Sequence, residues 1–173
     1  APDTVVMLCV GRIAAEKNLG LLHDAWQAAQ RRGLQTKLVV VGDGPLRLEL
    51  ERQWAGAFFT GLKRGHELAG IYASADLFVF PSLTETYGNV VPEAMASGLP
   101  VITSTKSGGA ELIEPGKSGY VCDALDLNAL AAHMRASLPQ DRHAAMGRRA
   151  REIVLPYTFE AMSARLRSLY ESL

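Results

Sequence analysis

The sequence predicts an α/β domain, a Rossmann-like doubly wound parallel sheet of about six strands with helices on both faces. Three observations carry that reading. Thr4 to Val10 and Lys37 to Val41 are uninterrupted apolar runs, each stopped by a glycine, Gly11 and Gly42, as expected of strands covered on both faces. Between them, Asn18 to Arg32 places Leu21, Leu22, Ala25, Trp26 and Ala29 at helical spacing and closes on Gly33. Short apolar runs and helical stretches then alternate along the chain, the pattern of a parallel sheet joined by crossover helices.

Taken in order, Leu46 to Gln53 reads as a helix with Pro45 suited to its first turn, followed by a strand at Ala57 to Thr60 and a helix at His66 to Ala73. Leu77 to Phe80 is a buried strand, Val91 to Ala96 a short helix, and Pro100 to Thr103 and Gly119 to Val121 are further strands. Helices at Asp126 to Ser137, Asp141 to Val154 and Phe159 to Ser172 complete the chain, with Pro156 breaking the last two apart and Thr158 placed to cap the final one. In a sheet of this kind ligands bind outside the carboxyl ends of the strands, where the strand order reverses. The loops that follow strands are therefore the ones to read for function.

Composition excludes several classes of partner. With 173 residues, 48% hydrophobic, one domain of this size buries a core large enough to need neither a metal nor a disulfide. The 18 basic and 18 acidic side chains cancel, which argues against nucleic acid or an anionic membrane as the main ligand. Cys9 and Cys122 lack CxxC spacing and lie in apolar runs, so they read as buried free thiols in a reducing compartment. No stretch reaches the length of an apolar membrane span, and His23, His66, His133 and His143 show no metal-ligand spacing. The chain opens APDTVVMLCV without an initiator methionine and is read as part of a longer protein.

Four loops after strands carry chemistry. In the first, Val10 to Asn18, Gly11 lets the backbone turn, and Arg12 and Lys17, five residues apart, can reach one anion or stand as a solvated basic pair. The second, VGDGPL at Val41 to Leu46, is a turn signal. The third, around Leu62, Lys63 and Arg64 between Gly61 and Gly65, offers backbone groups to a base edge or is an exposed basic loop. The fourth runs through Thr84, Glu85, Thr86, Tyr87 and Gly88, with Asn89 a helix N-cap and Glu93 in the first helical turn near the amides of Asn89, Val90 and Val91. Glu85 and Glu93 stand eight residues apart beside free backbone amides. Carboxylates accept hydroxyl protons and a helix N-terminus attracts anions, so a ligand suited to both carries diols and phosphate together, as a nucleotide sugar does.

These motifs resemble, over essentially the whole chain, the C-terminal donor-binding domain of retaining glycosyltransferases with the GT-B fold, glycosyltransferase family four. The resemblance rests on Gly11, Arg12 and Lys17, on VGDGP, FTG and YASADLFVFPS, on ETYGNVVPEAMASGLPVI, and on Gly108, Gly109 and Glu111. It implies Arg12 and Lys17 on the diphosphate, Glu93 on the ribose hydroxyls and Glu85 on hydroxyls of the transferred sugar alone, so that removing Glu85 leaves diphosphate affinity intact. It also implies that the amides of Gly88, Asn89 and Val90 close round phosphate and sugar, and that Leu62 to Arg64 face the base. Arg12, Lys17 and Glu85 are the catalytic candidates among them. A Thr86-Tyr87-Gly88 sequence stands where the family commonly has Phe-Gly after the first glutamate, with the aromatic retained.

The resemblance further implies that no metal or other cofactor is required, in keeping with the lack of a DxD motif, and that a separate N-terminal domain of the same protein binds the acceptor. The donor is GDP-mannose or a UDP-sugar, with the ETYGNV and FTGLKRGHEL segments leaning towards GDP-mannose. The expected setting is cytoplasmic, with any membrane contact peripheral. Two other classes stay open at this point: a non-catalytic nucleotide-binding or interaction module of the same fold, and a sugar-nucleotide epimerase. Neither requires both glutamates together with both cations.

Overall fold

The computed structural model describes residues 4–86, 88–137 and 140–171. Six strands, β1 (Val5–Val10), β2 (Thr36–Val41), β3 (Phe58–Gly61), β4 (Leu77–Phe80), β5 (Val101–Ser104) and β6 (Gly119–Cys122), form one sheet in the order β3-β2-β1-β4-β5-β6. Every pairing is parallel. The helices are α1 (Leu19–Arg31), α2 (Arg47–Gln53), α3 (Gly65–Ala73), α4 (Val90–Ala96), α5 (Leu127–Ala136), α6 (Gln140–Val154) and α7 (Phe159–Glu171). Each strand and helix expected from the sequence is present within a residue or two, the usual error of boundaries; Ser172 lies outside the described residues.

The continuous apolar strands behave as their composition requires. Met7 and Leu8 of β1 and all of β4 are at most 1% exposed, covered by helices that pack side by side in the pairs α1 with α5 and α4 with α6. One connection differs from a regular strand-helix alternation. Between β5 and β6 the chain makes only a 3-10 turn, Gly108–Leu112, which gives way to extended backbone at Ile113. A second 3-10 turn, Ala15–Lys17, precedes α1. Thr158 does cap α7, its Oγ1 accepting from the Ala161 amide at 3.1 Å.

The chain moves from β1 out to β2 and β3, then crosses back to β4 on the other side of β1. The strand order therefore reverses between β1 and β4, and the loops leaving those two strands face each other across that point. Among the described residues no helix is long and apolar enough to cross a membrane. Both cysteines are buried and unpaired.

Candidate functional site

The loop after β1 is held by the loop after β2. The amide of Gly11 donates to Val41 O at 2.9 Å, that of Ile13 to Asp43 O at 2.9 Å, and that of Leu46 to Ile13 O at 3.1 Å. The approach is too close for side chains: a Cβ on Gly42 would lie 1.8 Å from Gly11 O, and one on Gly44 2.3 Å from Ile13 O. The glycines of VGDGP thus shape the first loop by contact, which is more than a turn requires.

Arg12 and Lys17 part company in that loop. The Arg12 side chain is 69% exposed, with Nη1 4.0 Å from Glu16, whereas that of Lys17 is 13% exposed and turned inward. Lys17 Nζ lies 2.5 Å from Glu85 Oε2 and 5.3 Å from the centre of the Phe80 ring at the end of β4. Asn18, in the left-handed region at φ 53°, sets this turn, and its side-chain amide donates to Ala124 O.

The loop after β4 is tied on two sides. Leu83 N and Ser82 Oγ both donate to Glu16 O, at 2.8 and 3.2 Å, joining it to the β1 loop. Ser104 Oγ donates to Ser82 O, Glu85 N to Lys106 O, and Gly108 N to Glu85 O, joining it to the loop after β5. Glu85 is consequently held in a one-residue parallel bridge with Ser107. Gly88 sits at φ 56°, and a Cβ there would approach Glu85 Cγ to 2.6 Å, so the glycine gives Glu85 its room as well as freeing the backbone. Tyr87 lies outside the described residues.

Asn89 occupies the N-cap position of α4, but it has helical dihedrals (φ −50°, ψ −23°) and its side chain makes no cap bond, so the capping expected from the sequence is not realised. Among the described residues the amides of Gly88, Asn89 and Val90 have no acceptor and remain available to one. The Glu93 carboxylate does not fold back onto those amides. It accepts from Tyr72 Oη at 3.0 Å, and Glu93 lines an open groove of about 390 Å³ with Asn89, Pro92, Leu112 and Tyr157. Tyr72 is a site residue that sequence reasoning missed, since an aromatic at helical spacing in YASADLFVF reads as core. It is core, at 2% exposure, and its hydroxyl alone reaches the site.

At the end of β3, Leu62 is 58% exposed, Lys63 Nζ pairs with Glu67 at 3.0 Å, and Arg64 precedes α3 in extended conformation. Arg47 of α2 stands over this strand end, its Nη1 3.2 Å from where a Gly61 Cβ would be. Burial and the Glu93 charge push the Tyr72 phenol well above its ordinary range, so its oxygen stays a proton donor. Burial raises Cys9 to about 12 and Cys122 to about 11, which leaves neither thiol as a nucleophile. Among the described residues no three His, Cys, Asp or Glu side chains gather as a metal site.

A doubly wound parallel sheet of this order, with the loops of β1 and β4 facing at the switch point, is a Rossmann-like architecture with a ligand crevice at the carboxyl ends of its strands. The chain belongs to the family of glycosyl transferases group 1, whose family model matches residues 4–140. It is 35% identical over 173 aligned residues to the sulfoquinovosyl transferase SQD2 of Arabidopsis thaliana, covering 96% of this chain and 33% of that protein. It is 39% identical to a GDP-mannose-dependent alpha-mannosyltransferase of Corynebacterium glutamicum, covering 93% of this chain and 38% of that protein. The sucrose-phosphate synthase of Thermosynechococcus elongatus superposes with a TM-score of 0.84 at 28% identity, covering 99% of this chain and 46% of the other. The chain spans less than half the length of each of these.

Proposed function

We propose that this chain is the nucleotide-sugar-binding half of a retaining, metal-independent glycosyltransferase that works in the cytoplasm, with any membrane contact peripheral, and whose donor is GDP-mannose. The observation that supports the reading is the 2.5 Å contact between Lys17 and Glu85 at the switch point, a cation of the kind that binds phosphate next to a carboxylate of the kind that accepts from sugar hydroxyls. Lys17 and the amides of Gly88, Asn89 and Val90 take the diphosphate, with Arg12 closing from the solvent side. Glu93 takes the ribose diol and Glu85 the transferred sugar. Leu62, Lys63 and Arg64 lie along the base. As the glycosyl bond breaks, negative charge grows on the leaving diphosphate, and a fixed ammonium with fixed amides stabilises that charge more than it stabilises the intact donor. A second domain binds the acceptor and closes the cleft. The exposed Leu155, Tyr157, Met162 and Leu166 around α7, each more than half exposed, support a further contact on that side.

The donor choice is supported by the GDP-mannose dependence printed for the Corynebacterium relative. Calorimetry and thermal shift with GDP, UDP, GDP-mannose and UDP-glucose test it. A ligand at a hundred times its dissociation constant stabilises by about 2.7 kcal/mol, so GDP and GDP-mannose should raise Tm by several degrees where UDP does so less. Stabilisation by no nucleoside diphosphate at millimolar concentration would refute the reading, and preference for the uridine ligands would refute the donor.

A further inference from the structure

We infer that Tyr72 is a positioning residue for nucleotide recognition: its buried hydroxyl fixes the Glu93 carboxylate in the orientation that accepts the ribose diol. The inference rests on the ribose role proposed for Glu93. Tyr72 ends α3 and is 2% exposed, with its ring tilted against Phe78 at 5.9 Å between centroids. Its Oη is 3.0 Å from Glu93 Oε2 and 3.4 Å from Val90 O. A buried phenol needs an acceptor, and the Val90 carbonyl would serve that need alone. The hydroxyl lies nearer to an exposed carboxylate, at 3.0 Å against 3.4 Å for the carbonyl, and that carboxylate's side chain has three rotatable bonds and no other partner among the described residues. One immobile donor on Oε2 removes most of that freedom. Oε1 and the second lone pair of Oε2 are left for ligand hydroxyls.

A tyrosine kept only for packing would act through its ring. A positioning hydroxyl acts on the diol and on nothing else in the nucleotide. The core holds the ring, the ring holds the hydroxyl, and the hydroxyl holds the carboxylate, so rigidity built in the sheet is delivered to a surface side chain. That ordering matters because a carboxylate that must be immobilised on binding loses affinity to the lost rotamers.

The test compares GDP with 2',3'-dideoxy-GDP by calorimetry on the parent, Tyr72→Phe, Glu93→Gln, and a variant carrying 4-aminophenylalanine at position 72. The ratio of the two affinities is the readout, and Tm is followed in parallel. The parent should prefer the ribonucleotide, Glu93→Gln should abolish the preference, and Tyr72→Phe should reduce it about three- to tenfold with little change in dideoxynucleotide affinity. The aminophenylalanine variant restores a para donor and should restore the preference. A full preference in folded Tyr72→Phe, or no recovery with the amine, overturns the positioning role while leaving Glu93 its ribose. No preference in the parent, or one untouched by Glu93→Gln, overturns the ribose role and this inference with it. Should Tyr72→Phe fail to fold, 4-fluorophenylalanine at position 72, which fills the para position without a donor, takes its place: a parental ratio overturns the inference, and a lowered ratio that the amine variant restores upholds it.

Discussion

Glu85→Gln should tighten the binding of plain nucleoside diphosphate, a result opposite in kind to the indifference expected from the sequence. Lys17 is engaged by a carboxylate: its Nζ is 2.5 Å from Glu85 Oε2, with the two side chains 13% and 20% exposed. A diphosphate that recruits Lys17 must displace this carboxylate or lie beside it and bear its repulsion. Replacing the carboxylate by an amide of the same shape leaves Lys17 an acceptor but removes the Coulomb attraction of the partly buried ion pair, which lowers the cost of releasing Lys17 by roughly 1 kcal/mol after screening, and removing the repulsion adds to that. The expected gain is about five- to tenfold in GDP affinity, since about 1.4 kcal/mol is a factor of ten.

Calorimetry of GDP with the parent, Glu85→Gln, Lys17→Met and the double variant measures the effect. In the Lys17→Met background the part of the gain that comes from releasing the ammonium should be lost and only the part from the removed repulsion should remain, so the two substitutions should not be additive. For GDP-mannose, loss of the sugar contact should offset the gain, and turnover of the full-length enzyme should fall. GDP bound equally or more weakly by Glu85→Gln would refute the reasoning. The pair would then be a structural strut holding the β4 loop, and Lys17 would not be released on binding.

Gly42→Ala should destabilise the fold by more than about 3 kcal/mol, read as a shift of the urea midpoint, because its methyl would sit 1.8 Å from a backbone oxygen with φ at 139°. Cys9 and Cys122 should not react with Ellman's reagent at about pH 8 in the native protein and should both react in denaturant, and a fast native reaction would contradict their burial. His23, stacked on Trp54, and His133, stacked on Tyr120, have pKa values held below the ordinary 6.5 by burial. The unfolded chain thus takes up protons first as pH falls. Stability should be level above about pH 7 and drop as pH falls below 6.5, and the drop should shrink when both residues are replaced by Gln.

The fold was legible because its signals are local. Glycine-stopped apolar runs and helical spacing each need only a dozen residues to be recognised, and the sheet order follows from how such units wind. The candidate residues were singled out as a set by motif resemblance. Their pairings were not: a Lys17–Glu85 contact spans 68 positions and a Tyr72–Glu93 contact 21, and no spacing rule connects them. Asn89 shows the same limit from the other side. Its residue type suits an N-cap, a local preference worth about 1 kcal/mol, yet its dihedrals are helical and its side chain makes no cap bond.

The two carboxylates also differ in what holds them, and that difference bears on what each can do. Glu93 is fixed by a neutral donor from the core, which leaves its charge uncompensated and its second oxygen open. Glu85 is fixed by an ammonium, which neutralises it until a more highly charged partner arrives. A carboxylate held by a hydroxyl is a standing acceptor, suited to a ligand part that must always be recognised. A carboxylate held by a displaceable ion pair becomes a free acceptor only when an anion recruits the ammonium. Glu85 would then be exposed to sugar hydroxyls at the moment the diphosphate occupies the switch point, so that diphosphate binding prepares the sugar site. This order makes a prediction of its own: a free sugar should bind detectably with nucleoside diphosphate present and far more weakly without it, and equal binding in both cases would show that Glu85 is available before Lys17 leaves it.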